Sequence, residues 1–285
     1  MVLEFFTRYF KGLLLLIFLA FILLSSLNIE SSPPPNLAKL YLNFPILDSS
    51  GFREQVEKIK QNPSIKGVLL IVNSPGGGVG ASIEIADLIK DLNRDLPVVA
   101  YVESLMASGA YYAGIYAHSI YANRGALVGS IGVIFSGFNI EELLSDLGIK
   151  SQGAKAGIYK EAGTMTRQWT REELDLINHL TQQNYELFYT DVIEARGNRL
   201  KYSNPKIFAE GRVFTATEAL DIGLIDGVSS MSAAIESLKE LAGVNEEIWL
   251  KKEGLQSFLE NLTQSTISHL ASLAAPQMQA IWGRP

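Results

Sequence analysis

The sequence predicts an α/β protein whose central sheet is mostly parallel. Three observations lead to this prediction. From Leu37 onward, short apolar segments with β-strand character alternate with longer segments of helical periodicity. The apolar segments are hydrophobic on both faces, as expected when helices cover both sides of a parallel sheet. Two of them also run into glycine-bearing turns that open helices.

The predicted elements follow in order along the chain. Strands are predicted at 38–42, 67–72, 97–102, 120–122 and 131–135, and helices at 52–61, 81–92, 108–116, 140–147 and 171–195. Residues 211–228 then predict a strand, a helix capped near Thr215 and a glycine turn. No internal repeat is visible, so one domain over 38–245 is expected, followed by a helical tail over 246–285.

The N-terminal segment predicts a membrane anchor. Arg8 and Lys11 precede an uncharged apolar run over 12–27, which lies at the short end of the usual span of about 17–25 residues. A cleaved signal peptide is the alternative, but no small-x-small cleavage site follows, which favours a retained anchor over 1–30. The positive-inside rule places the remainder outside the cytoplasm. The Pro-rich stretch 31–37 is then a stiff linker.

The composition excludes several classes of function. The formal net charge is −6 with no basic stripe to offset it, which argues against a nucleic-acid partner. The chain has no cysteine, so disulfides, thiolate nucleophiles and cysteine-based zinc sites are excluded. Its three histidines form no ligand cluster of recognisable spacing, so no metal or other cofactor is predicted.

The segment NSPGGGVG, residues 73–80, ends one predicted strand and opens a helix. Gly76, Gly78 and Ala81 match the spacing of the dinucleotide-binding fingerprint. Glu103 would then be the ribose-binding acid, although it lies beyond the expected spacing of about 20 residues. The alternative is that the exposed backbone N–H groups bind a developing oxyanion.

A second turn of this kind lies in MASGAYY, residues 106–112, where Ser108 and Gly109 open a predicted helix. The serine side chain is at the positive end of the helix, and the N–H group of the next residue is unpaired. An ordinary N-cap serine followed by a packing glycine is the structural alternative. Both turns are expected at the carboxyl edge of the sheet, where each can supply one oxyanion donor, and this favours a catalytic serine.

These ordered motifs resemble a known family. The strings NSPGGG, MASGAYY and GSIGV are similar to those of the signal peptide peptidase A family, peptidase family S49, over residues 38–240. The family consists of membrane-anchored serine–lysine proteases, and this chain resembles its short, single-copy form. The resemblance implies a crotonase/ClpP-like fold with repeated β-β-α units behind an N-terminal transmembrane helix, with 38–245 as the catalytic domain.

The resemblance also implies roles for individual residues. Ser108 matches the nucleophile, and Gly77 and Gly109 match the donors of the oxyanion hole. Ser130, in VGSIGVIF, matches the serine that steadies the catalytic lysine. The general base of the family is a lysine, for which the chain offers Lys150, Lys155 and Lys160.

Lys160, which is followed by Glu161, matches the family pattern best, and Lys155 is the runner-up. A lysine is a base only when neutral, and its ordinary pKa is about 10.4. Lowering that pKa to about 7 requires roughly 4–5 kcal/mol, which burial in an apolar site can supply. Ile158 and Tyr159 are the expected apolar neighbours.

The resemblance implies a membrane-anchored serine endopeptidase that cleaves remnant signal peptides and other hydrophobic peptides. It further implies a homo-oligomer in the bacterial inner membrane, with an extracytoplasmic catalytic domain and serine and lysine sometimes drawn from neighbouring subunits. Three alternatives stay open: an NAD-type oxidoreductase, a crotonase-like acyl-CoA enzyme, and a non-catalytic membrane scaffold.

Overall fold

The computed structural model describes residues 10, 12, 14–20 and 33–251. The contacts divide the chain into Met1–Pro34 and Pro35–Pro285. In the first unit, residues 10, 12 and 14–20 are helical and exposed. Within the described ranges no helix is both long enough and apolar enough to cross a membrane. Most of the predicted anchor over 1–30, and the predicted tail beyond residue 251, lie outside the described residues.

The larger unit begins by alternating strands and helices, as the sequence predicts. Its elements are β1 Leu37–Asn43, α1 Ser50–Lys60, β2 Gly67–Ser74, α2 Val79–Asp95, β3 Val98–Ala107, α3 Gly109–Gly114, β4 Ser119–Ala122, β5 Leu127–Gly129, α4 Glu141–Asp146, α5 Arg171–Arg196, α6 Pro205–Phe208, β6 Val213–Thr215, α7 Ala216–Ile222, β7 Gly227–Val228 and α8 Met231–Ala242. The predicted cap is confirmed, because Thr215 and Glu218 form a capping box on α7, and the predicted glycine turn is Gly223 in a left-handed conformation.

The described residues form a seven-stranded sheet in the order β1-β2-β3-β4-β7, in which all neighbours are parallel. Strand β3 has two partners on the same edge. Residues 99–102 pair with β4, and after an irregularity residues 105–107 pair with β5, which is antiparallel to β6. The second half of β3 therefore diverges from β4, and its last residue, Ala107, pairs with Gly129 of β5.

The central strands are buried on both faces, which explains their continuous apolar sequences. In β2, Val68, Leu70 and Val72 face the larger core with α1, α2 and α3, while Leu69 and Ile71 face a smaller core with α8. The sheet is thus covered on both sides in the described part of the chain. The predicted α/β class is confirmed.

Helix α5 is fixed at both ends by polar contacts. At its start Thr170 and Glu173 form a capping box. At its end the fully buried Arg196 donates to both carboxylate oxygens of Asp226, at 2.8 and 3.0 Å, and to the Gly223 carbonyl. Removing one partner of such a buried pair typically costs about 3–5 kcal/mol. The helix is therefore held in a defined position over the carboxyl edge of the sheet.

Two predicted elements differ from the structure. Residues 131–135 form no strand, because the place beside β3 is taken by β5 and the chain then leaves the sheet. The helix predicted at 108–116 is shorter, covering Gly109–Gly114. The start of the predicted tail also pairs with the sheet edge, because Trp249 bridges Leu37 in parallel.

Candidate active site

The glycine loop after β2 is held against residues that follow β1. Ile46 donates its backbone N–H to the Gly76 carbonyl and accepts from the Gly78 N–H, both at 2.8 Å. This pairing makes a parallel bridge between Ile46 and Gly77. The N–H of Gly77 points away from that bridge and has no hydrogen-bond acceptor among the described residues. One free backbone donor therefore remains at the end of β2.

Ser108 lies in the turn between β3 and α3 with an unusual backbone conformation. Its φ is 52°, in the left-handed region that costs a non-glycine residue of order 1–3 kcal/mol. The Ser108 N–H donates to the Gly129 carbonyl at 2.8 Å, which fixes the turn to the end of β5. Helix α3 is six residues long, so the useful donor is the N–H of Gly109, which has no acceptor among the described residues, rather than a helix dipole.

The two turns approach each other so closely that only glycine fits. A Cβ added to Gly76 would lie 2.5 Å from the Gly109 nitrogen, and one added to Gly109 would lie 3.1 Å from the Gly77 nitrogen. The free N–H groups of Gly77 and Gly109 are thus neighbours beside Ser108. The structure brings together the predicted nucleophile and both predicted oxyanion donors.

Ser130 also lies close to Ser108. Ala107 and Gly129 are register partners at the ends of β3 and β5, so Ser108 and Ser130 leave the sheet side by side. Ser130 has a φ of 51°, and its N–H donates to the Arg212 carbonyl at 2.7 Å. Its hydroxyl has no hydrogen-bond partner in the described part of the chain, so it can contact a group brought to Ser108.

A cleft opens beside Ser108, and its lining includes Gly77, Gly109, Gly132 and side chains of α3 and α5. Tyr112 of α3 packs edge-on against Phe188 of α5, with ring centroids 4.7 Å apart, and donates its hydroxyl to Asp191. Burial, followed by that hydrogen bond, raises the pKa of Tyr112 well above its usual range. The tyrosine therefore stays neutral and ties α5 to the helix that follows the serine.

A second apolar recess continues from the cleft. It shares Val79, Val133 and Asn184 with the cleft and extends to Ile177 and Leu180 of α5. The sequence predicted α5 but not its role as the wall of this groove. The sequence signal for that role is a row of apolar and amide side chains at helical spacing along α5. The same spacing is typical of a helix face packed against the core, so it does not by itself indicate a groove.

The candidate lysines lie outside this cleft. None of Lys150, Lys155 and Lys160 is among the residues that line it, and the Ser108 hydroxyl has no hydrogen-bond partner among the described residues. Lys155 is engaged by Glu161 at 2.8 Å. Lys160 is exposed and makes no side-chain hydrogen bond or ion pair to the described residues, and Ile158 and Tyr159 are exposed too. The predicted dyad is not assembled within the described chain.

An ionic chain fixes the loop that carries these lysines. Arg167 bonds Glu161 at 3.3 Å and Glu173 at 2.7 Å, so the loop is connected to the first turn of α5. The Arg167 guanidinium, aided by the backbone of Thr170, lowers the pKa of Glu173 to about 2. Hydrogen bonds from Lys155 and Arg167 lower the pKa of Glu161. These acids stay charged over the physiological range.

The glycine loop offers little to a dinucleotide phosphate. The N–H groups of Gly76 and Gly78 are already bound, to the Ser74 hydroxyl and the Ile46 carbonyl. A phosphate loop needs several converging N–H donors, and of the three consecutive glycines Gly77 alone has a free one. The loop therefore fits a single oxyanion contact better than a pyrophosphate.

Comparisons with known proteins identify the family of this chain. Residues 90–245 match the model of peptidase family S49. A protein of Methanocaldococcus jannaschii whose name describes a protease is 36% identical over 70% of this chain and 63% of its own length. A protein of Enterococcus faecium that carries the name signal peptide peptidase SppA is 35% identical over 66% of this chain and 55% of its own length. This chain thus spans less than two thirds of those relatives.

The structure also aligns with ClpP1 of Listeria monocytogenes, with 14% identity and a TM-score of 0.47 over 69% of this chain and 94% of that one.

The close packing of the glycine loop predicts that Gly77→Ala is severely damaging. An added Cβ would lie 2.0 Å from the Ile46 carbonyl oxygen, so the loop must shift. We expect a lower melting temperature and a loss of roughly 10²–10³ in activity, the usual cost of one oxyanion donor. Gly80→Ala is the matched control, because its Cβ would meet nothing within 4 Å. Equal effects of the two substitutions in thermal melts and activity assays would contradict the proposed packing.

The depressed pKa of Glu173 predicts a specific acid sensitivity. A carboxyl whose folded pKa of about 2 lies below its ordinary value of 4.5 stabilises the fold above pH 4.5 and loses that contribution as pH falls toward 2. Glu173→Gln should lower stability at pH 7 and flatten the acid limb between pH 4.5 and 2, as measured by urea unfolding. Glu172→Gln, on the same turn but exposed, should retain the wild-type profile. An unchanged acid limb in Glu173→Gln would show that the Arg167 contact is not formed.

Proposed function

Because this chain belongs to peptidase family S49, we propose that it is a serine endopeptidase with Ser108 as its nucleophile and a lysine as its general base. The observation that carries the proposal is the pair of free N–H groups, on Gly77 and Gly109, that meet beside Ser108. Two preorganised donors at a serine are the arrangement that stabilises the tetrahedral intermediate of acyl transfer. Each donor is usually worth about 10²–10³ in rate.

The reaction follows from this arrangement. The neutral lysine takes the Ser108 hydroxyl proton while Oγ attacks the peptide carbonyl, whose oxygen becomes the oxyanion between Gly77 and Gly109. The intermediate collapses as the C–N bond breaks, and the protonated lysine returns the proton to the leaving amine. A water, deprotonated by the same lysine, then hydrolyses the acyl-enzyme and frees the serine.

Lys160 is the base that the contacts support. Lys155 is held in an ion pair with Glu161 at 2.8 Å, whereas Lys160 has no acidic partner among the described residues. Residues 158–163 form turns, and the carboxylate of Glu161, which follows Lys160, is occupied by Lys155 and Arg167.

We further propose that Lys160 reaches Ser108 from a neighbouring copy of the chain. A lysine base requires burial away from water, and Lys160 is exposed in the single chain. The segment around it presents apolar side chains to solvent, among them Ile158 and Tyr159, which are 70% and 45% exposed. Covering that surface with a second copy would exclude water from the lysine and bury the apolar side chains together.

The substrate class proposed is a hydrophobic peptide, such as a remnant signal peptide. The cleft and the adjoining recess are lined largely by apolar side chains of α5 and of residues 132–135, which suits an extended apolar segment. Attachment to the bacterial inner membrane through residues 1–30, with the catalytic domain on the extracytoplasmic side, would place the cleft where such peptides occur.

The proposal predicts how substitutions at the serine and the lysines affect peptide hydrolysis. The full chain in detergent should cleave an apolar fluorogenic peptide, and Ser108→Ala and Lys160→Ala should each lower kcat by at least about 10³-fold. Lys155→Ala, the matched control, should retain activity within about tenfold because it changes only loop anchoring. Undiminished hydrolysis by Ser108→Ala would refute the proposal. Loss with Lys155→Ala instead of Lys160→Ala would reassign the base.

The shared site predicts complementation between two inactive variants. When Ser108→Ala and Lys160→Ala chains are co-expressed in equal amounts, about a quarter of sites in a closed ring should combine an intact serine with an intact lysine. Peptide hydrolysis should then recover to about a quarter of the wild-type rate. Co-expression of Ser108→Ala with wild type controls for expression level. Mixed oligomers without recovered activity would place both groups in one chain.

A further inference from the structure

A buried serine outside the predicted catalytic set connects to the oxyanion loop. Ser74 is the last residue of β2 and is 0% exposed. Its hydroxyl donates to the Phe44 carbonyl and accepts the Gly76 N–H at 3.2 Å. It therefore joins the two segments that meet at the Ile46–Gly77 bridge. The mechanism above assigns it no role.

The orientation of the Gly77 N–H depends on the peptide unit that it shares with the Gly76 carbonyl. The described chain contains no cis peptide bond, so this C=O and N–H point in opposite directions within one plane. The carbonyl accepts from the Ile46 N–H at 2.8 Å. The N–H is thereby aimed away from Ile46, toward the side on which Gly109 lies. Whatever fixes Ile46 relative to Gly76 fixes the direction of this donor.

Residues 44–46, here called the strap, carry Ile46 across the end of the sheet. The strap leaves β1 through Phe44, whose φ of 69° is in the left-handed region. Such a conformation persists only where surrounding contacts hold it. Two contacts do so: the Phe44 N–H donates to the Asn73 carbonyl at 3.3 Å, and the Phe44 carbonyl accepts from Ser74.

Ser74 is itself held by the sheet, because it pairs in register with Met106 of β3. Strand β3 continues directly to Ser108. One hydroxyl therefore connects the strap, the glycine loop and the strand that delivers the nucleophile. Since a serine hydroxyl supplies one donor and two acceptor sites, both of its contacts can form at once.

Resting on the proposed peptidase function, we propose that Ser74 is a positioning residue that aims the Gly77 N–H at the oxyanion. Without the hydroxyl, the Phe44 carbonyl and the Gly76 N–H lose their partner. The Gly76–Gly77 peptide can then rotate. Such misalignment weakens binding of the transition state more than binding of the substrate, because the oxyanion forms only in the transition state.

The test compares Ser74→Ala with Ser119→Ala in the full chain in detergent. Ser119 is the matched control because it is also a buried strand serine, and its hydroxyl has no hydrogen-bond partner in the described part of the chain. The measurements are kcat and KM for an apolar peptide, the inhibition constant of a peptide boronic acid, and active-site titration with a fluorophosphonate. Titration counts folded sites, so kcat is expressed per functional site.

Ser74→Ala should lower kcat by roughly 10- to 100-fold, less than the 10²–10³ for complete loss of a donor, with KM within about twofold. Boronate affinity should fall by the same factor as kcat/KM, while Ser119→Ala should match wild type. Should Ser74→Ala fail to fold, Ser74→Cys fills the site with a slightly larger side chain that is a weaker donor, and it should show a smaller loss of the same kind.

The proposal would be overturned if the Ser74 variant that folds kept the wild-type kcat and boronate affinity per titrated site. Ser74 would then have only a structural role. An equal loss in Ser119→Ala would also overturn it. Failure of the peptidase function itself has a different signature. In that case the wild-type chain cleaves no peptide, or Ser108→Ala remains active, whatever happens at Ser74.

Discussion

The site depends on the close approach of two backbone turns. The first is the loop at Gly76 and Gly77, and the second is the turn at Ser108 and Gly109. They lie so near each other that a Cβ added to Gly76 would be 2.5 Å from the Gly109 nitrogen. Side chains are excluded from this contact, so two free N–H groups can lie beside one hydroxyl. The positive φ of Ser108 is the conformational cost of the arrangement, and the positive φ of Gly76 is one that glycine adopts readily. Strands β2 and β3, which pair from Val68 to Ser74 with one irregularity after Val72, hold the two loops in place.

The rest of the fold supports that contact from three directions. Strand β5 accepts the end of β3 and sets Ser130 beside Ser108. The strap on the other side binds the Gly76 carbonyl and the Gly78 N–H of the glycine loop through Ile46. Helix α5 covers the opening, held by the Tyr112–Asp191 bond and the buried Arg196–Asp226 pair. Its apolar side then lines the groove in which a peptide would lie.

The sequence predicted the sheet well because apolar runs buried on both faces leave an unambiguous signal, as in 67–72 and 97–102. It failed at 131–135, where an equally apolar run forms no strand, because strand formation requires a free neighbouring edge and β5 already occupies it. The two glycine turns were predicted from local pattern. The strap was not, because the Ser74 and Ile46 contacts link residues about thirty positions apart. Lys160 could not be placed either: its loop has no periodicity, and in the described chain it reaches no partner.

In the proposed reaction, Ser108 attacks a carbonyl whose oxygen is bound by Gly77 and Gly109. A crystal structure of the full chain reacted with a peptidyl fluorophosphonate would show this arrangement, since the phosphonyl oxygen mimics the oxyanion. We expect a covalent bond to Ser108 Oγ, with that oxygen about 2.7–3.1 Å from both glycine nitrogens. An adduct on another residue such as Ser130, or a phosphonyl oxygen turned away from both N–H groups, would contradict it.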